Sequence, residues 1–198
     1  MYNLHKRSLV CIYKTYDQQA YSIFCQVNTQ MVIADNYLFF GARNPEMQVI
    51  DIHTGEKAWS YIEPEGGWIS GEALVEDGIL YIGGSDNHEM FAFDALTGEK
   101  RWTFEFLNNN FSKPLIYEDY LLFTTGDAYN VYGKGNGRGY LYALNKEDGT
   151  IHQFDQIGGN MYSNILLDNG KLYLGNEDGT IYALDLEHFL KDSSSPVE

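Results

Sequence analysis

The sequence predicts an all-β protein, a β-propeller of about four to five blades, each blade four antiparallel strands. Three observations carry this expectation. A short pattern recurs at intervals of 42, 42 and 50 residues. Repeats of about that length with several strand-like segments each mark a propeller array. Aromatic residues make up 15% of the 198-residue chain, with 16 Tyr and 11 Phe, a composition that favours strands. No stretch sustains the 3.6-residue apolar period of an amphipathic helix.

The recurring pattern has two halves. Leu80-Tyr81-Ile82-Gly83 returns as Leu38-Phe39-Phe40-Gly41, as Leu172-Tyr173-Leu174-Gly175, and more loosely as Leu122-Phe123-Thr124-Thr125-Gly126. A turn pair precedes each: Asp77-Gly78, Asp35-Asn36, Asn169-Gly170 and Asp119-Tyr120. The second half is Phe91-Ala92-Phe93-Asp94-Ala95-Leu96-Thr97-Gly98, matched at Val49–Gly55, Leu141–Gly149 and Ile181–Asp185. Asp-Gly and Thr-Gly pairs between short apolar runs are hairpin chemistry. The clearest repeat predicts strands at Gly71–Val75, Ile79–Gly83, Met90–Asp94 and Lys100–Phe106. Trp59 and Trp102 each fall four residues after the turn glycine, with Gln153 at that place in the third copy. A worn copy spans Leu9 to Phe24, with Tyr13 at the Asp position and Tyr21 at the Trp position.

These repeats divide the chain into one propeller domain over 1–190, with a worn first repeat at 9–27 and further repeats at 28–69, 70–111, 112–161 and 162–187. A short helical turn is expected near Leu186 to Leu190, followed by a polar tail at 191–198. The last repeat lacks a fourth strand, and Tyr21–Val27 is a spare one that could close a ring. The alternative is an open arc whose ends pair with a second copy. A monomer is favoured, because the acidic charge opposes self-association.

The strings Asp94-Ala95-Leu96-Thr97-Gly98-Glu99-Lys100-Arg101-Trp102 and Gly175-Asn176-Glu177-Asp178-Gly179-Thr180-Ile181-Tyr182-Ala183-Leu184-Asp185 resemble the repeat of the pyrroloquinoline-quinone-like β-propeller family. The resemblance runs from about residue 9 to 187. It implies radial blades, with Trp59 and Trp102 docked between neighbours. It does not by itself imply the quinone. Quinoprotein alcohol dehydrogenases of this kind use eight blades, adjacent cysteines under the cofactor, and calcium with a catalytic Asp. Here Cys11 and Cys25 stand 14 apart, on paired strands but diagonal to one another, which suits two reduced thiols better than a bridge. No cofactor and no catalysis are expected.

Charge and motif narrow the function further. Thirteen Lys and Arg against 28 Asp and Glu give a net charge of −15, which argues against nucleic-acid binding and favours a basic partner. No segment is long and apolar enough for a membrane-spanning helix. The amino-terminal residues carry no signal-peptide pattern and no lipid-attachment cysteine, so the cytoplasm is the expected compartment. The five histidines show no shared ligand spacing, and the acidic loops at Ser85–Glu89 and Asn176–Asp178 lack the alternating oxygens of a calcium loop. Gly133 to Gly139 could admit an anion beside Lys134 and Arg138, yet a strand follows it rather than the helix of a nucleotide site, so a hairpin extension is the better reading.

Strand order then selects a face. With strands named A to D, the A–B and C–D turns share one end and are nearly identical between copies. The B–C connections (Ala42–Glu46, Ser85–Glu89, Asp127–Gly139, Asn176–Gly179) and D–A connections (Pro64–Trp68, Leu107–Asn110, Gly158–Met161) vary, and they gather at the other end. Irregular loops on a rigid frame carry function. The expected role is therefore a non-catalytic protein-interaction or scaffold module acting through these loops. The candidate face comprises Trp68, Ser70, Asn110, Phe111, Ser112, Lys134, Arg138, Tyr162 and Ser163. A small ligand or carbohydrate at the channel mouth is the alternative, with Trp68, Phe111 and Tyr162 as its aromatic ring.

Overall fold

The structure, a computed structural model, describes residues 27, 29–43, 45–128 and 137–191. Four sheets follow one another along the chain. The first holds β1 (Val32–Ala34), β2 (Tyr37–Phe40), β3 (Glu46–Asp51) and β4 (Lys57–Ile62). The second holds β5 (Leu74–Glu76), β6 (Ile79–Gly83), β7 (Glu89–Asp94) and β8 (Lys100–Glu105). The third holds β9 (Leu115–Tyr117), β10 (Tyr120–Thr125), β11 (Tyr140–Asn145) and β12 (Ile151–Gln156). The fourth has three strands, β13 (Leu166–Asp168), β14 (Lys171–Gly175) and β15 (Ile181–Asp185), followed by helix α1 (Leu186–Lys191). Each sheet is an antiparallel meander in sequence order. The blade architecture expected from the repeats is present. The worn copy, Cys11, Cys25 and the spare strand before Val27 lie outside the described residues.

The hairpins follow from their turn residues. Asp35-Asn36, Asp77-Gly78 and Asn169-Gly170 have positive φ at both positions, the I′ geometry that matches strand twist. The third copy departs from the sequence reading by one residue. Its turn is Glu118-Asp119, because Lys146 N–H bonds the Asp119 carbonyl as Ala95 N–H bonds that of Gly78. Leu121, not Leu122, then occupies the Leu80 place, since Leu121 pairs with Leu144 as Leu80 pairs with Phe93.

An inner blade is packed on both faces. In β6, Ile79 and Tyr81 join the cluster shared with the third sheet, while Leu80 and Ile82 join the cluster shared with the first. This double burial explains why its strands read as nearly continuous apolar runs. The fourth sheet buries only Leu172 and Leu174 of β14 against the third. Its other face carries Leu166 opposite Tyr173, with Leu166 and Ile181 exposed.

The joints between blades repeat one contact. Trp59 of β4 donates its indole N–H to the Ala95 carbonyl at 3.1 Å, and Trp102 of β8 donates to the Lys146 carbonyl at 3.1 Å. Each acceptor is the second residue of the C–D turn of the following blade. That turn is held by its first residue: Asp94 Oδ1 accepts the N–H groups of Leu96 and Thr97. Its last residue is glycine, Gly98 and Gly149, with φ of 75° and 72°. A Cβ on either would lie 2.6 Å from the indole that stacks there. The glycines are thus needed twice, for the backbone angle and for the ring.

The third joint is built differently. Gln153 stands opposite Ala143 as Trp102 stands opposite Ala92. In the fourth sheet the residue at the glycine position is Phe189, which cannot readily turn through positive φ. The chain continues instead as α1. Asp185, at the repeat's Asp place, caps the helix by accepting the N–H of His188 at 2.9 Å. Leu186 and Phe189 pack into the third–fourth cluster, and the Leu190 carbonyl lies 2.9 Å from His152 Nε2. Lys191, expected in the tail, is the last residue of the helix.

Trp102 is 9% exposed and uses both ring and N–H in the joint. Trp102→Ala should cost about 3–5 kcal/mol in urea unfolding. Gly149→Ala should also destabilise, by more than about 1 kcal/mol. A loss under about 1 kcal/mol for Trp102→Ala would show that the indole does not hold the blades together.

Candidate functional site

The B–C and D–A connections meet at one end of the blades and bond to each other. The Ser85 N–H donates to the Trp68 carbonyl at 2.7 Å, and Ala42 N–H donates to the Ile69 carbonyl at 3.0 Å. Between the first and second sheets this end opens into a cleft of about 740 Å³, within the range of ligand sites. Glu63, Glu65, Trp68, Asp86, Glu89 and Glu105 line it, with Lys100 as its cation.

The acids are held in place by strand geometry. Glu89 and Glu105 are paired directly across β7 and β8, where like charges repel. Burial pushes the Glu89 carboxyl above its ordinary range, helped by the nearby Glu63 charge. Glu63 is 8% exposed and accepts the Tyr61 hydroxyl at 2.9 Å. Lys100 donates to the same Tyr61 oxygen at 3.2 Å and lies 5.2 Å from the ring centroid. Burial, reinforced by the Glu63 hydrogen bond, raises the Tyr61 phenol strongly, so it remains a donor. The cleft therefore holds more carboxylates than cations, beside an indole.

The residues singled out in the sequence divide into two groups. Trp68 borders the cleft, half-buried, with the Arg43 guanidinium 5.6 Å from its ring centroid. Phe111 and Tyr162 meet edge to face at 5.6 Å. Burial, with the charges of Glu177 and Asp127, lifts the Tyr162 hydroxyl to about 12. Arg138 is exposed, and its carbonyl accepts Asn108 Nδ2 at 2.7 Å. Lys134 lies outside the described residues.

The second group points inward. Asn110 and Ser112 are fully buried. Asn110 Nδ2 donates to the Thr124 carbonyl at 2.9 Å, and Thr124 Oγ1 lies 3.0 Å from Ser112 Oγ. These groups tie β10 to the connection before β9, so they belong to the frame and not to an open face. Ser163 differs in being exposed, and its Oγ donates to the Gly175 carbonyl and accepts the Gly175 N–H, both at 3.0 Å. Ser70 is buried, and its hydroxyl has no hydrogen-bond partner among the described residues. Of the acidic walls of the cleft, Glu63 and Glu105 went unmarked in the sequence, and Glu89 was noted only as the end of the acidic loop Ser85–Glu89. The signal available was their shared place: both D strands and the strand facing them run to carboxylates at the irregular end.

The family model described as outer membrane protein assembly factor BamB matches residues 49–152, more than half of the chain. The chain belongs to this family of PQQ-type propeller repeats. Among solved structures it resembles BamB from Moraxella catarrhalis, at 16% identity and a TM-score of 0.63, over 80% of this chain and 46% of that one. It also resembles the quinohemoprotein alcohol dehydrogenase of Comamonas testosteroni, at 18% identity and a TM-score of 0.66, over 84% of this chain and 34% of that one. The computationally designed Ika4 protein matches at 15% identity and a TM-score of 0.60, over 80% of this chain and 92% of that one. These likenesses establish the propeller fold. The chain spans less than half the length of the two natural proteins. No curated protein matches it.

One inner space among the described residues is too small for a quinone. Where the inner strands converge, the space lined by Thr29, Arg43, Ser70, Glu72 and Phe111 is about 100 Å³. A three-ring quinone needs a site of a few hundred Å³.

Because the fold raises the Glu89 pKa, its ionisation costs stability at neutral pH. That cost is absent below the ordinary glutamate range, about 4.3, and grows as pH rises through the raised value. Glu89→Gln should therefore raise the thermal midpoint at pH 7, with the gain vanishing below about pH 4. A gain that persists at low pH would assign the effect to packing.

Proposed function

We propose that the protein is a non-catalytic interaction module whose irregular end receives a basic segment of a partner protein. The observation that supports this reading is the acidic cleft between the first two sheets, with Trp68 on its border. A lysine or arginine side chain entering it meets several carboxylates and an aromatic surface that attracts cations. The repulsion between Glu89 and Glu105 falls when a cation lies between them. The net charge of −15 speeds the approach of a basic surface. Membership of the BamB family agrees with a role in protein contact. The rigid frame beneath the loops means that little conformational freedom is lost on binding.

A lysine-rich peptide binds this protein in the proposed mode, with affinity falling as salt rises. The double variant Glu65→Lys/Glu105→Lys should weaken that binding by about tenfold or more, as loss of charge-paired contacts does. Glu56→Lys/Glu99→Lys at the opposite end should leave it within about twofold. Equal losses for both pairs in a fluorescence-anisotropy titration would mean that net charge alone, and not the cleft, attracts the peptide.

A further inference from the structure

The cavity of about 100 Å³ on the inner side of the blades has a composition unlike that of the acidic cleft. Three connections of the chain build it. Arg43 comes from the connection after β2, Ser70 and Glu72 from the approach to β5, and Phe111 from the approach to β9. It lies close to the common centre of the sheets, since Asn164 of the fourth repeat donates Nδ2 to Glu72 Oε2 at 3.0 Å.

The cavity holds one positive and one negative side chain, and they do not pair with each other. Arg43 makes no ion pair among the described residues; its contact is the ring of Trp68. Glu72 takes one N–H at Oε2, which leaves its other oxygen open. In the same lining the buried Ser70 hydroxyl has no hydrogen-bond partner among the described residues. Phe111 supplies an apolar wall, backed edge-on by Tyr162.

Size and charge together select a ligand. The volume equals that of about three waters in the liquid, enough for a head group of a few heavy atoms and too small for a sugar ring or a quinone. A simple anion suited to Arg43 meets the Glu72 carboxylate. A simple cation suited to Glu72 meets the guanidinium. A group carrying both charges satisfies both walls. We infer that this cavity binds the head group of a small zwitterion, an α-amino acid. Its carboxylate lies on Arg43, its ammonium on Glu72, and its side chain runs out along Phe111. Arg is suited to the first task because its planar fork matches a carboxylate. This site is separate from the acidic cleft, so either can fail without the other.

The test is calorimetric titration of the full chain with glycine and phenylalanine, beside N-acetylglycine, which lacks the ammonium, and glycinamide, which lacks the carboxylate. The two amino acids should bind saturably. Each blocked analogue should bind about tenfold more weakly or worse, the effect of one lost charge-assisted hydrogen bond. Glu72→Gln should abolish the preference for glycine over N-acetylglycine, and Arg43→Gln the preference for glycine over glycinamide. Circular dichroism checks that both variants keep the native strand signal. The inference is overturned by no saturable binding of either amino acid at about 10 mM, well above weak millimolar affinity. Equal binding of the blocked analogues, or preferences unchanged in both variants, also overturns it.

Discussion

The first three blades are aligned by the contact between an indole and the turn of the next blade. A four-stranded sheet of this size has two apolar faces and cannot stand alone in water. Its neighbour must be held at a fixed distance and angle. Trp59 and Trp102 do this with a large apolar ring and one directed N–H, donated to Ala95 and Lys146. The requirement propagates backwards into the sequence. The receiving turn must be tight, so it opens on Asp or Asn with a side-chain oxygen bonded to the backbone beyond it. It must end without a Cβ, so it closes on glycine. The register shifts between Val49 and Ile50, Ala92 and Phe93, and Ala143 and Leu144 recur at one place in three sheets. They set the residue at the Trp position opposite the same C-strand site each time.

What was legible in the sequence was what the joint demands. Asp, Thr, Gly and Trp at fixed spacing are local signals, and the local geometry obeys them. The exceptions are instructive. The third repeat slipped by one residue because Thr124 replaces the glycine that marks the end of the B strand elsewhere. Only the pairing of Leu121 with Leu144 restores the register. At the fourth turn, Phe189 in place of glycine was readable as a failure to turn, and α1 is the outcome.

The candidate site was legible in place but not in composition. The alternation of turns along a meander assigned the irregular connections to one end, and the cleft opens there. Its acidic character is spread over the D–A connection of one repeat and the B–C connection and D strand of the next. No linear motif contains Glu63, Glu89 and Glu105 together. In the opposite sense, Asn110 and Ser112 looked like binding groups because amides and hydroxyls beside aromatics suit polar ligands. The fold uses them to satisfy its own buried backbone near Thr124. Polar residues at a convergence of strands answer first to the cost of burying unpaired carbonyls.

The joint also has a sense of direction. At the first two joints the earlier blade gives a ring and the later blade offers the carbonyl that receives it. A row made this way has a head and a tail that are chemically different, as in a chain of hooks and eyes. Copying a whole repeat inserts one hook and one eye together and leaves every neighbour satisfied. Moving a single strand breaks the match on both sides. Growth by duplication of complete units is therefore the change this architecture tolerates best. At the fourth turn Phe189 stands where glycine would otherwise lie, and α1 takes the place of the receiving turn.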